Sequence, residues 1–169
     1  TRSVMNTRFE KAKCTTDEWY TPPCIFESLG AFDLDPCAPL EPLWTIGKVN
    51  YTHADDGLSR PWTGRVWLNP PYSRPLIERF VDKLADHVNG IALLFNRCDS
   101  KLFHDVIFQK AAGILFLRGR IKFYMADGTQ GGTPGCGSVL IAFGRENARL
   151  LRTCGLPGHY FDIHHEDGR

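Results

Sequence analysis

This chain has no C-x-x-C pair, no apolar stretch approaching the length of a membrane span, and no excess of either charge. Each absence removes a class of protein. Its six cysteines, Cys14, Cys24, Cys37, Cys98, Cys136 and Cys154, are scattered, which argues against both a zinc site and a disulfide framework and leaves reduced thiols. The N-terminus lacks the apolar core of a secretory signal, so the chain reads as soluble and intracellular, with no membrane partner. Twenty Lys and Arg stand against nineteen Asp and Glu, for a net charge of +1. A polyanionic partner would therefore be met by a local patch and not by a global field. The glycine-rich stretch from Asp127 to Gly137 is followed by no Lys-Ser or Lys-Thr that would hold a nucleotide phosphate, so it is not a P-loop. His164-His165 sits in a polar tail where solvation is the simpler reading, and no metal is expected.

The length suits one compact domain. Residues 1–18 are polar and aperiodic and read as a flexible arm, residues 19–154 as the domain and residues 155–169 as a tail. Thr21-Pro22-Pro23 reads as an N-cap followed by prolines suited to a first helical turn, which predicts a helix over 22–29 closed by Gly30. Residues 31–35 alternate apolar and acidic up to Pro36 and predict a strand with Asp35 at its end. The stretch 36–64 is rich in Pro, Gly and small polar residues, and its one candidate strand is 49–52. Beyond it the pattern alternates: strand 66–68, helix 74–88, strand 91–95, helix 100–111 and strand 113–117, which implies a parallel sheet. Leu76, Ile77, Phe80, Leu84 and Val88 form the expected core stripe of helix 74–88, with Ser73 as N-cap, Pro75 in the first turn and Gly90 closing it. Strands at 121–124 and 138–143 flank the glycine-rich loop and are expected to pair antiparallel, followed by a last helix at 145–153.

The densest chemistry lies in Asn69-Pro70-Pro71-Tyr72, directly after the short apolar run 65–68. Two prolines in succession fix φ and hold the residue before each in an extended conformation, so the Asn69 amide and the Pro70 carbonyl can project together from a rigid loop. Those two oxygens can accept both protons of one exocyclic NH2. That pulls the nitrogen out of conjugation and aims its lone pair at an electrophile. Tyr72 offers a flat face for stacking a base. Asn before Pro is also common in surface turns, but a position beyond the carboxyl end of a strand is where open α/β sheets bind ligands. Trp62 and Trp67 are alternative stacking residues, with core packing the simpler reading of both.

Taken in order, Trp19-Tyr20-Thr21-Pro22, Leu34-Asp35-Pro36, Asp56-Gly57-Leu58, Trp62, Asn69-Pro70-Pro71-Tyr72 and Gly119-Arg120-Ile121-Lys122-Phe123 resemble the phage DNA N6-adenine methyltransferase family, the Dam-like phage enzymes, over about residues 17–145. The resemblance implies a pruned Rossmann-like methyltransferase fold with a mostly parallel sheet and an antiparallel terminal strand. It also implies S-adenosylmethionine as cofactor, DNA as partner, adenine as acceptor and the host cytoplasm as location. Carried onto this chain, it makes Asn69, Pro70, Pro71 and Tyr72 the catalytic loop. Trp19, Thr21 and Pro22 would lie at the methionine end of the donor, with Asp35, Pro36, Cys37 and Asp56 along its remainder. Arg74, Arg97, Lys101, Arg120 and Lys122 would meet the DNA backbone. Two departures accompany the match. No G-x-G turn follows Asp35, and only about thirty residues separate Asp35 from Asn69, where a full fold of this kind would place further strand and helix units. An RNA adenine or a protein amide as acceptor, and a non-catalytic DNA-binding module of the same fold, are the alternatives.

Overall fold

The computed structural model describes residues 19–163, so the arm at 1–18 and His164-His165 lie outside the described residues. A short helix α1 (Pro23–Glu27) precedes strands β1 (Phe32–Asp35), β2 (Gly47–Asn50) and β3 (Val66–Leu68). Helix α2 (Leu76–His87), strand β4 (Gly90–Phe95), a π turn (Phe103–Ile107) running into α3 (Phe108–Lys110), and strand β5 (Gly113–Leu117) follow. Strand β6 (Ser138–Phe143), helix α4 (Arg145–Thr153) and strand β7 (Gly158–Asp162) complete the described chain. The strands form one mixed sheet in the order β2-β1-β3-β4-β6-β5-β7. The first four in that order are mutually parallel, whereas β6 runs antiparallel to both β4 and β5, and β7 antiparallel to β5.

The fold is layered because its strands are apolar on both faces. On one face Val66, Leu68, Ala92, Leu94 and Ile141 pack against Phe80, Val81 and Leu84 of α2 and against Phe103 and Ile107 of the π turn. On the other, Trp67, Ile91, Leu93, Leu140 and Ala142 meet Ile25 and Leu29 near α1 and Ala148 and Leu151 of α4. Strict alternation along β1 would send Phe32 and Leu34 to the same face, yet they occupy opposite cores. The Asp33 and Leu34 amides both donate to the Arg65 carbonyl, at 2.8 and 3.2 Å, a two-against-one pairing of the β-bulge kind that resets the side-chain phase just before Asp35.

Several local expectations are corrected. Pro22, not Thr21, is the N-cap of α1, and no side chain caps that helix. Helix α2 starts at Leu76 with Pro75 as its N-cap, and Ser73 contributes its carbonyl to the Ile77 amide instead of a side-chain cap. Val88 leaves the core stripe: it is exposed and ends the helix with φ +57°, while Gly90 opens β4 because a Cβ there would collide with the Val66 carbonyl. Residues 121–124 do not form a strand. Tyr124 makes isolated bridges to Tyr20 and Gln130, and 138–143 instead inserts between β4 and β5. Gly158–Asp162, expected as tail, is the edge strand β7. Its side chains are mostly exposed, so its hold on the sheet is backbone pairing, which leaves no periodic apolar signal.

Where the sheet lacks a helix, polar ties order the chain. In the segment 51–65, Trp62 Nε1 donates to the Gly57 carbonyl at 2.8 Å, and Lys83 Nζ donates to the Leu58 and Arg60 carbonyls at 2.7 and 2.6 Å. Trp62 itself stacks on Phe80, so it is a core residue. At the amino-terminal edge, Arg65 donates to the Leu29 and Ala31 carbonyls and to Asn147 Oδ1 at 2.7, 3.0 and 2.6 Å, with its guanidinium 4.2 Å from the Phe32 ring centre. Arg65→Met removes all three hydrogen bonds, two of them to the buried residues Leu29 and Asn147. It is expected to destabilise the fold by about 2–3 kcal/mol in chemical denaturation.

Candidate functional site

Strands β1 and β3 lie side by side, yet the chain leaves β1 toward β2 on one side and β3 toward β4 on the other. Such a switch point opens a crevice beyond the carboxyl ends of parallel strands. A cleft of about 570 Å³ lies there, a volume typical of small-molecule sites. Asp35, Pro36 and Cys37 at the end of β1, and Asn69, Pro70, Pro71 and Tyr72 at the end of β3, all line it, together with Trp19, Thr21 and Asp56. Of the residues the resemblance assigns to the donor, Pro22 alone is not on its wall; it is buried at the start of α1.

The apolar run of β3 holds the loop that follows rigid, since Val66, Trp67 and Leu68 are all buried. Asn69 is half-buried, and its Nδ2 donates to Thr21 Oγ1 at 3.4 Å, which leaves Oδ1 turned away as an acceptor with no partner among the described residues. Tyr72 is 39 % exposed. Its ring lies tilted by 31° on Phe95 with centroids 4.7 Å apart, and its hydroxyl oxygen accepts the Phe95 amide at 3.0 Å. Desolvation raises the Tyr72 hydroxyl above the ordinary tyrosine range, outweighing that amide bond. One end of the ring is thus anchored to the end of β4 while the residue stays accessible. Trp67, by contrast, packs edge-on against Phe32 within the core.

Asp35 is 5 % exposed, and its Oδ1 accepts the Cys37 amide at 3.0 Å. Burial pushes its carboxyl up to about 7, the backbone bond only partly countering that. Burial also raises the Cys37 thiol, with the nearby Asp35 charge adding to it, so Cys37 meets the cleft as a neutral group. Asp56 caps the short turn His53–Asp55 with φ +52°. The next residue must be glycine, because a Cβ on Gly57 would strike the Pro36 carbonyl oxygen. That close approach brings the Asp56 turn to the cleft wall.

Residues 36–46, which connect β1 to β2 without a helix, form a strap over the cleft. Trp44 Nε1 donates to the Thr21 carbonyl at 2.9 Å, Tyr20 Oη to the Glu41 carbonyl at 2.7 Å, and Tyr20 and Tyr124 exchange backbone bonds at 3.0 Å. Trp44, Asn50, Thr52 and His53 line the cleft although no sequence motif marked them. The available signal was a tryptophan in an otherwise Pro-rich, aperiodic stretch. Arg74, Arg97, Lys101, Arg120 and Lys122 do not line the cleft. All are exposed on the chain that follows β3, β4 and β5, at the same edge of the sheet. Arg74 pairs with Glu78 at 3.2 Å, whereas the other four form no ion pair among the described residues. No described helix is long and apolar enough to cross a membrane.

The sequence matches the family described as DNA N-6-adenine-methyltransferase (Dam) over residues 8–151. It is 31 % identical over 109 residues to a curated protein of Escherichia phage T1 named DNA N-6-adenine-methyltransferase, covering 60 % of this chain and 44 % of that one. The chain therefore spans less than half the length of this relative. No solved structure matches it significantly.

Proposed function

Because the chain belongs to the DNA N-6-adenine-methyltransferase (Dam) family, we propose that it transfers a methyl group from S-adenosylmethionine to the exocyclic N6 of adenine in DNA. The observation that carries this reading is the meeting of Asn69, Pro70 and Tyr72 with the buried Asp35 in one cleft at the sheet's switch point. The mixed sheet is read as a pruned Rossmann-like methyltransferase sheet. This is supported by parallel crossovers from β1 to β2 and from β2 to β3 that contain no α-helix.

The residues present suit the donor. A carboxylate with one oxygen tied to the Cys37 amide can accept hydroxyl or ammonium protons with the other, and Trp19, Trp44, Leu58 and Phe80 provide apolar wall for a purine. Asp35, Pro36, Cys37 and Asp56 would hold it. When bound, S-adenosylmethionine supplies an electrophilic sulfonium methyl. The protein's own part is positional. Asn69 Oδ1 and the Pro70 carbonyl accept the two N6 protons, which turns the nitrogen lone pair outward, and the rigid loop holds a near-attack geometry. No base is needed before attack, since the N6 proton becomes acidic only once the new N–C bond forms and can then leave through Asn69 to water. A paired adenine hides N6, so the base must leave the stack, and the Tyr72 ring is the surface to receive it.

The exposed cations after β4 and β5 would track phosphates. Arg120→Gln or Lys122→Gln is expected to weaken DNA binding and to lower the slope of log affinity against log salt by about one, checked by titrations at several salt concentrations. The function is tested by incubating the protein with labelled S-adenosylmethionine and unmethylated DNA, then separating the nucleosides. Label in N6-methyldeoxyadenosine supports the reading. Label appearing only in RNA or protein acceptors, or none despite donor binding, overturns the DNA assignment. A folded chain that does not bind S-adenosylhomocysteine is the non-catalytic module.

A further inference from the structure

The chain that leaves β5 builds a projection beside the cleft. Strand β5 runs in the same direction as β4, since β6 is antiparallel to both, so residues 118–137 emerge at the edge where the Asn69–Tyr72 loop lies. Residues 123–131 then fold back on themselves as a tight hairpin. The Gly131 amide donates to the Phe123 carbonyl at 2.7 Å, Tyr124 bridges Gln130, and the Met125 amide donates to the Thr129 carbonyl at 2.9 Å. The tip is the turn Ala126-Asp127-Gly128, in which Gly128 takes φ +81° and donates to the Met125 carbonyl at 2.9 Å. Asp127 Oδ1 accepts the Thr129 amide and hydroxyl at 2.8 and 2.6 Å, which closes the turn. Met125 stands at this tip, 40 % exposed. We propose that the hairpin enters the DNA duplex beside the target adenine and that Met125 occupies the gap which the extruded base leaves in the stack. The inference rests on the function proposed above and adds to it the element that holds the duplex open.

The hairpin is fastened to the walls of the cleft. Tyr124 exchanges backbone bonds with Tyr20 at 3.0 Å and packs edge-on against Trp44 with ring centres 5.3 Å apart. Trp19 lies edge-on to Phe123, and a Cβ on Gly131 would strike the Trp19 ring. Phe123 is buried and meets Phe95, on which the Tyr72 ring rests. A single ring therefore separates the root of the hairpin from the surface that receives the base. With Phe123 opposite Gly131 and Met125 opposite Thr129, these four residues share one face. Met125 continues toward the tip the face that Phe123 anchors at the root.

Charge is divided along this segment. Arg118, Arg120 and Lys122 are exposed just before the hairpin, whereas residues 123–144 contain no Lys or Arg. A projection that gripped phosphates would carry its cations at the tip. This tip carries a methionine, small residues and a carboxylate already engaged by its own turn, a composition suited to the base stack, with the cations at the root placed for the backbone. Extruding a base leaves its neighbours without a stacking partner, and an apolar side chain inserted between base steps offsets that loss. Methionine is unbranched, flexible and polarizable, so it fills an irregular gap well. Met125 joins neither hydrophobic core, and the fold itself has no use for an apolar residue there.

The test compares Met125→Ala and Met125→Leu with wild type on three substrates: a duplex in which the methylated adenine has been located, the same duplex with a mismatched base opposite that adenine, and the single strand. Thermal unfolding and the Kd for S-adenosylhomocysteine are expected to stay at their wild-type values. On the paired duplex Met125→Ala is expected to lower kcat/KM roughly 10–100-fold, the range one stacking contact supplies. On the mismatched duplex and the single strand, where the adenine is more easily extracted, the loss is expected to stay within about threefold. Met125→Leu, which restores an apolar side chain of similar size, is expected to recover most of the activity on the paired duplex. An equal loss on all substrates makes Met125 an ordinary contact and overturns the inference. So does a leucine variant as impaired as alanine. Absence of transfer to DNA by the wild-type chain overturns the proposed function and this inference together. Wild-type transfer with an unaffected Met125→Ala variant reduces the hairpin to a brace for Trp19 and Tyr20 and overturns the inference alone.

Discussion

Asn69→Ala is expected to lower kcat by roughly 10²–10³-fold or more while leaving the affinity for S-adenosylhomocysteine near wild type. The alanine removes the Asn69 Oδ1 acceptor at the end of β3, and the Pro70 carbonyl alone would take only one of the two amino protons. The nitrogen then stays conjugated with its ring, and the lone pair is not delivered. Donor binding survives because the carboxylate that would hold the donor, Asp35, belongs to β1, which the substitution does not touch. Rapid-quench single turnovers, which separate chemistry from product release, combined with calorimetry for the donor product, check both halves. Near-normal turnover in the variant would remove Asn69 from the chemical step.

Asp35→Asn is expected to act on stability and on donor binding in opposite directions. The wild-type carboxyl ionises near its ordinary 3.8 in the unfolded chain and at about 7 in the folded one, because burial disfavours the charge. Between those pH values the folded state keeps a proton the unfolded state has lost. Wild-type stability therefore falls as pH rises from 3.8 toward 7 and stays lower above it, by up to about 4 kcal/mol. The amide can still accept the Cys37 N–H but carries no charge, so the variant gains nothing at low pH and most of that amount above pH 7. Denaturation at a series of pH values reads this directly. The same change removes a charged acceptor from the cleft, and the affinity for S-adenosylhomocysteine is expected to drop roughly 10–100-fold. Wild-type affinity should rise with pH through 7 as the carboxylate forms, while the variant's affinity stays flat. Calorimetry on either side of that pH decides between a carboxylate that binds and one that is merely buried. A gain in stability without a loss of affinity would identify Asp35 as a burden with no ligand role.

These two residues were legible in the sequence for different reasons. Asn69 stood in a motif whose own stereochemistry, two prolines after an apolar strand, limits what the backbone can do. Asp35 stood at the end of an alternating run, the ordinary position for a ligand-facing carboxylate in a parallel sheet. The alternation was nonetheless broken, since the bulge opposite Arg65 puts Phe32 and Leu34 in different cores, and no local pattern announces a paired partner 31 residues away. Trp44 escaped for a related reason. It lies in a stretch with neither helical nor strand period, and its place on the cleft wall depends on a bond to Thr21, 23 residues earlier. Strand β7 escaped because an exposed edge strand needs only backbone partners, which any sequence carries.

The sequence alone determined what local chemistry can dictate: apolar strands that must be buried, the rigid Asn-Pro-Pro-Tyr loop, and the shortage of chain between Asp35 and Asn69. Tertiary structure decided what depends on partners distant along the chain. It placed β6 between β4 and β5, turned residues 121–124 from a strand into a tether for Tyr20, and laid 36–46 over the cleft in place of a helix. It also moved Thr21 from a helix cap to the side of Asn69. A hydroxyl serves whichever donor or acceptor the folded chain brings within reach, and that choice is made by packing across 48 residues of sequence, beyond the range of any local propensity.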